Sequence, residues 1–248
     1  MTESWLAKTS YAHRGLHGPK TGFVENSLSA FKEAAERGFG IELDVLLSRD
    51  NIAMVIHDTE LNRLTAHKGS TKDYNAEELS RITLSNSKDT IPTLQHVLSQ
   101  IGAKTRILIE IKGDQGHFHQ IAEAVWSAIR YYPDDIAIMS FYPEIIKYFK
   151  AYYPGVPRGL VATTLDDEQL PKEYLNPDKQ QRLIKSLDVD FIAYDIRTLP
   201  NKVTRYCRNH NIPVLTWTVR TDEDRIKAKD YTDNIIFELK SDDENQSN

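Results

Sequence analysis

Residues 40–58, GIELDVLLSRDNIAMVIHD, hold two apolar runs, 40–48 and 53–58, separated by only Arg49 to Ile52. Parallel neighbours in a sheet need a crossover of about a dozen residues or more, so two runs this close can pair only as an antiparallel hairpin, with Asp50-Asn51 at the turn. Seven further runs are short and rich in Ile, Val and Leu: 10–15, 106–112, 136–141, 158–162, 190–195, 213–219 and 234–239. Their composition is that of strands buried on both faces. Setting aside the return arm of the hairpin leaves eight.

Helical patterns fill the gaps. In SLSAFKEAAERG, Leu28, Phe31, Ala34 and Ala35 share a face, Asn26 or Ser27 stands at the N-cap position, and Gly38 is the stop. Comparable stretches follow the later runs, such as FHQIAEAVWSAIRYY (118–132) and PEIIKYFKAYY (143–153). Such alternation predicts an α/β fold, a (β/α)8 TIM-type barrel with a β-hairpin and a short insertion, about residues 59–90, after strand 2. The 248 residues suit one such domain over residues 1–240. The final SDDENQSN (241–248) is polar, without apolar residues, and reads as a disordered tail.

Composition excludes several classes. Formal net charge is −5, with three of the acids in the tail, so the basic footprint of a nucleic-acid binder is missing. No run approaches the roughly 20 apolar residues of a membrane span. The lone Cys207 rules out an intrachain disulfide, and MTESWLAKTSYAH shows no secretory pattern, which together predict a cytoplasmic protein. Neither GxGxxG nor GxxxxGK[ST] occurs, so a nucleotide cradle has no support. Charge distribution says nothing of oligomeric state.

In barrels of this type the active groups stand at the C-terminal ends of strands. Those ends carry His13-Arg14-Gly15, the i, i+2 pairs Glu42/Asp44 and Glu110/Lys112, His57-Asp58 on the return arm, and Trp217. Glu42, Asp44 and Glu110 on adjacent strand ends would repel in a partly dry mouth and call for a cation, a shared proton or several donors. An oxygen-only set suits one divalent cation, Mg²⁺ or Ca²⁺, with Mn²⁺ also acceptable. Taken singly each acid is more often a solvated or ion-paired strand-end charge; taken together they favour a metal site. Histidine as a residue type titrates near neutral pH, so His13 and His57 suit proton transfer during displacement at phosphorus. Arg14 and Lys112 suit the non-bridging phosphoryl oxygens. Trp217 is either a core residue or an apolar wall for a ligand. The remaining histidines, 17, 67, 96, 117, 119 and 210, read as structural, His117-x-His119 included, with no cysteine nearby to support zinc.

These residues resemble the glycerophosphodiester phosphodiesterase family. The matching pieces, in family order, are HRG (13–15), ENSLSAF (25–31), GIELDVLLSRDNIAMVIHDTELNRLT (40–65), IPTL (91–94), LIEIKG (108–113) and WTV (217–219). The resemblance implies the same barrel and hydrolysis of glycerophosphodiesters to sn-glycerol 3-phosphate and an alcohol. By motif position it implies Glu42, Asp44 and Glu110 as metal ligands, His13 and His57 as the acid/base pair, and Arg14 and Lys112 as phosphate contacts. The chain departs from the family pattern at Arg220, where Asn commonly follows the tryptophan motif, and at Glu238, near an expected Asp. Both departures are expected at the far side of the pocket, bearing on alcohol or glycerol specificity. The insertion is short, with Tyr74, Leu79 and Ile82 its few large apolar anchors, and predicts a modest cap. Three rival readings keep the barrel: a phospholipase D-type enzyme acting on lysophospholipids or another phosphodiester, a catalytically silent binding protein, and a Mg²⁺-using lyase or isomerase. The first is typically secreted and disulfide-braced, unlike this chain, and the second would have lost ligands.

Overall fold

The computed structural model describes residues 5–101, 104–113, 116–132, 135–166 and 170–239, so the expected tail lies outside the described residues. Among the described residues nine strands form one sheet: β1 (Tyr11–Ala12), β2 (Gly40–Leu47), β3 (Ala53–Val55), β4 (Ile107–Ile111), β5 (Ile136–Ser140), β6 (Arg158–Ala162), β7 (Phe191–Asp195), β8 (Val214–Val219) and β9 (Asn234–Phe237). The order β1-β9-β8-β7-β6-β5-β4-β2 closes through β1 onto β2, giving an eight-stranded parallel ring. β3 lies outside the ring and pairs antiparallel with β2 through Val45–Val55, Leu46–Met54 and Leu47–Ala53. That is the hairpin expected from the sequence, with Asn51 at positive φ (59°) in its turn.

Around the ring stand α1 (Leu28–Glu36), α3 (Leu94–Ile101), α4 (Phe118–Ile129), α5 (Pro143–Tyr152), α6 (Pro177–Leu187), α7 (Lys202–Asn209) and α8 (Asp222–Tyr231), while α2 (Ala76–Leu79) belongs to the insertion. Ser27, not Asn26, caps α1 by accepting the amide of Ala30. Asn26 takes a left-handed φ of 54° and turns inward instead. Strand β9 has no helix after it among the described residues. The barrel floor is closed by a short 3-10 turn, Trp5–Ala7, whose Leu6 packs into the interior cluster.

Alternation along the strands separates two cores. On β4, Ile107, Ile109 and Ile111 face the helices while Leu108 packs in the interior cluster with Tyr11, Met139, Phe191 and Leu215. Two rings deep in the barrel need missing side chains opposite. A Cβ on Gly40 would lie 2.5 Å from the Tyr11 ring, and one on Gly159 2.4 Å from the Phe191 ring. Leu61, Leu79, Ile82 and Leu84 of the insertion form a second core with Leu46, Met54 and Ile56 of the hairpin arms and with Ile91, and Tyr74 packs against it. The insertion is therefore better anchored than the three apolar residues singled out from the sequence implied. No helix among the described residues is long and apolar enough to cross a membrane.

Candidate active site

Strand β2 lies between β1 and β4, so the tops of all three meet at one side of the barrel mouth. Register sets Asp44 against Glu110, and the period of two turns Glu42, Asp44, Glu110 and Lys112 to the same inner face. One carboxylate oxygen from each of Glu42, Asp44 and Glu110 falls within 4.8 Å of the others, and all three residues are buried. Lys112 Nζ lies 2.6 Å from Glu110 Oε1 and 3.1 Å from Asp44 Oδ1, and Arg14 Nε lies 3.2 Å from Asp44 Oδ2.

Support among the three acids is unequal. Burial alone would raise Asp44, but Lys112, Arg14 and both histidines more than offset it and hold its pKa far below the carboxylate range. Glu42 accepts the Arg14 amide at Oε2 (2.9 Å), whereas Oε1 is buried without a hydrogen-bond partner. Burial, reinforced by the charges of Asp44 and Glu110, pushes Glu42 well above its ordinary value. Burial opposes the charge on Lys112 as well, yet Asp44 and Glu110 outweigh it and raise its pKa. Three buried carboxylates with an orphaned oxygen fit a hard divalent cation, which would satisfy Glu42 Oε1 and relieve the crowding.

The first turn of the mouth is built by HRG. Arg14 and Gly15 both have positive φ (55° and 80°), and a Cβ on Gly15 would meet Ala30 Cβ at 2.9 Å, so glycine is required there. The left-handed Arg14 is held by its amide bond to Glu42 and by its carbonyl, which accepts the Asn26 amide at 2.8 Å.

His13 and His57 stand in matching settings. His13 Nδ1 lies 2.6 Å from Glu238 Oε1, and His57 Nδ1 lies 2.6 Å from Asp58 Oδ1. An ionised carboxylate only accepts, so in each pair the ring Nδ1–H donates and Nε2 is the nitrogen left for a ligand. Burial lowers the His13 pKa, with the Glu238 bond working against it. Each carboxylate is also gripped by an arginine: Arg220 donates twice to Glu238 (2.8 and 2.9 Å), and Arg63 Nε donates to Asp58. Arg63 continues to Glu25 (2.7 and 2.9 Å), which also accepts from Arg14 (2.8 Å). Burial would raise Glu25, but the two arginines hold it down at about 2.

His13, Arg14, Glu42, His57, Glu110, Lys112 and Trp217 all line one cavity of about 320 Å³, with Asp44 beneath them. All eight residues expected from the sequence therefore converge. Phe141, Met139 and Ile196 add an apolar wall. Trp217 anchors its Nε1 to the Ala193 carbonyl (3.1 Å) and meets Phe141 edge to face at 5.5 Å. An adjoining groove of about 450 Å³ shares His57, Lys112 and Phe141 and is walled by Leu46, Tyr142 and Leu170. A flank groove of similar size beside Asn51, Gln95, His119 and Glu123 gathers no comparable set of charges. The His119 ring packs at a tilt against Tyr148 and His117 Nδ1 contacts Lys72, so the two do not share a ligand geometry. Nothing in the sequence points to Glu25, Asn26 and Arg63 as parts of the mouth; Arg220 and Glu238 are expected at the far side of the pocket, but not their tie to His13, and Asp58 is named without a role of its own. Only Asp58 carried a local signal, its adjacency to His57.

A parallel barrel whose C-terminal mouth joins buried carboxylates, two carboxylate-held histidines and two cations is an enzyme site of the barrel hydrolase class. Residues 13–237 match the model of the glycerophosphoryl diester phosphodiesterase family. A glycerophosphodiester phosphodiesterase of Bacillus altitudinis is 35% identical over 176 residues, covering 66% of this chain and 70% of that protein. A putative glycerophosphodiester phosphodiesterase of Bacillus subtilis (strain 168) is 26% identical, covering 91% of this chain and 95% of that one. Among solved structures, an Oleispira antarctica phosphodiesterase in complex with the product sn-glycerol-3-phosphate has the same fold, with a TM-score of 0.79 at 22% identity, covering 92% of this chain and 91% of that one. The chain belongs to the glycerophosphoryl diester phosphodiesterase family.

Proposed function

We propose that the protein hydrolyses glycerophosphodiesters to sn-glycerol 3-phosphate and an alcohol, with Glu42, Asp44 and Glu110 holding one divalent cation and His13 and His57 moving protons. The observation that carries this reading is the convergence of the three carboxylates, both histidines, Arg14 and Lys112 on one cavity of about 320 Å³. Mg²⁺, Ca²⁺ and Mn²⁺ all suit the oxygen donors. When bound, such a cation supplies Lewis-acid polarisation of the phosphoryl group.

The chain's own groups do the rest. Arg14 and Lys112 face the phosphodiester anion with charge-assisted donors. Trp217 and Phe141 offer an apolar wall for the glycerol carbons. One histidine accepts the proton of the attacking oxygen as the O–P bond forms; the other donates a proton as the P–O bond to the alcohol breaks. The attacking oxygen belongs to water or to the substrate's neighbouring hydroxyl, and trapping a cyclic phosphate separates the two routes. In this reading residues 1–240 form one catalytic domain, with 59–90 an insertion beside His57. The single, buried Cys207, whose thiol is pushed up to about 12 by burial, suits a reducing cytoplasmic setting.

The test is a substrate panel: glycerophosphocholine, glycerophosphoethanolamine, glycerophosphoglycerol, glycerophosphoinositol and lysophospholipids, each with Mg²⁺, Ca²⁺, Mn²⁺ or chelator. Release of glycerol 3-phosphate from the deacylated diesters, abolished by chelator, is expected. Cleavage of lysophospholipids alone would favour the phospholipase D-type reading, and no cleavage by any metal form would sink the proposal.

A further inference from the structure

His13 and Glu238 come from opposite ends of the chain, 225 residues apart, and meet at the seam where β9 pairs with β1. The His13 amide donates to the Phe237 carbonyl at 2.9 Å, so backbone and side chain are anchored to the same strand end. On its other side Glu238 is engaged by Arg220, with Nε on Oε2 at 2.8 Å and Nη2 on Oε1 at 2.9 Å. The two positions at which the chain departs from the family pattern are therefore one ion pair. It is spent on His13 rather than standing alone at the far wall.

We propose that Glu238, clamped by Arg220, is the positioning residue of His13: it fixes the ring as the Nδ1–H tautomer, turns Nε2 to the reacting oxygens and stabilises the imidazolium formed in turnover. The logic is that of a carboxylate behind a catalytic imidazole. Burial favours the neutral acid, but the bonds from His13 and Arg220 keep Glu238 ionised well below the usual carboxylate range. His17 brings a third ligand-type atom within 4.8 Å of the pair, which could suggest a cation site. Both oxygens of Glu238 are already engaged by His13 and Arg220, so the cluster works as a clamp. The arrangement repeats across the mouth in His57, Asp58 and Arg63.

The kinetic arm of the test rests on the phosphodiesterase reading; the spectroscopic arm does not. In histidine ¹⁵N spectra of the wild-type protein, His13 shows protonated Nδ1 and bare Nε2 at pH 8. In Glu238→Gln the ring shifts toward the mixture of an unrestrained imidazole. With glycerophosphocholine, Glu238→Gln lowers kcat at least about tenfold while KM stays within about threefold. Glu238→Asp, which keeps the charge, recovers most of that loss. Arg220→Gln lowers kcat by less, because the His13 bond survives. Should Glu238→Gln fail to fold, the wild-type spectrum and the kcat of Arg220→Gln, which alters a half-exposed side chain, decide instead: a wild-type His13 ring protonated at Nε2, or an unchanged kcat in Arg220→Gln, overturns the proposal. A wild-type kcat in Glu238→Gln, or a His13 tautomer unchanged by the substitution, overturns the proposal. If the wild type turns over no diester yet shows the tautomer shift, the phosphodiesterase reading fails and the clamp stands.

Discussion

Asn26 holds Asp44 at two points: its Nδ2 donates to Oδ2 at 2.9 Å, and its Oδ1 accepts the Asp44 amide at 3.2 Å. Of the two residues that the sequence offered as a helix cap, Ser27 takes that role and Asn26 is a buried bracket for a carboxylate of the trio. Removing it strands a buried acid. Asn26→Ala should lower stability by about 1–3 kcal/mol and weaken divalent-cation binding about 10–100-fold. Denaturant melts and calorimetric titration with Mn²⁺ check both, and unchanged affinity would show that Asp44 needs no bracket.

Glu25 ties Arg14 to Arg63 and should mark its presence in acid. Its pKa falls from 4.5 unfolded to about 2 folded, against the effect of burial. The associated stability is therefore present above about pH 4.5 and lost as pH drops through about 2, and it is on the order of 3 kcal/mol. Glu25→Gln should be less stable than wild type at pH 7, with the two unfolding curves converging as pH approaches 2. A difference that persists unchanged at pH 2 would assign the loss to packing instead.

Glu42 has the opposite sign. Its folded pKa is raised, so in metal-free protein its contribution is present below the unfolded value and lost as pH rises through the folded one. Metal-free Glu42→Gln should therefore be at least as stable as wild type at pH 8, yet gain nothing from added cation. Thermal melts with chelator and with Mg²⁺ or Mn²⁺ read this directly. A cation-dependent rise in Tm in Glu42→Gln equal to that of wild type would remove Glu42 from the ligand set.

The floor of the barrel makes a separate prediction. Gly40→Ala drives a methyl to 2.5 Å from Tyr11, and Gly159→Ala to 2.4 Å from Phe191. Each should cost about 1–3 kcal/mol through a lower denaturant midpoint at unchanged m-value, with kcat little altered because both lie below the mouth.

Much of this was legible because it is periodic. The four residues between the runs of 40–58 forced the hairpin, and the i, i+2 spacing of Glu42/Asp44 and Glu110/Lys112 fixed which side chains share a face. Closure of the ring then brought them together as expected. The supports were not legible because they are bonds across sequence distance. Nothing near His13 announces Glu238, and nothing near Glu25 announces Arg63. Arg220 and Glu238 each looked like an isolated change at the pocket rim, and only the β9–β1 seam makes them a pair acting on His13. The choice between Asn26 and Ser27 as the cap of α1 stayed open for a local reason: both are good caps, and the left-handed φ of Asn26 is invisible in the sequence.

Proton transfer by His13 and His57 at the carboxylate-lined mouth is the core of the proposed phosphodiester hydrolysis. It is tested most directly by the initial rate of glycerol 3-phosphate release from glycerophosphocholine by His13→Ala and His57→Ala, each confirmed folded by circular dichroism. Each rate is expected to fall by about 10²-fold or more with divalent-cation binding retained. Near-wild-type rates in both variants would contradict it.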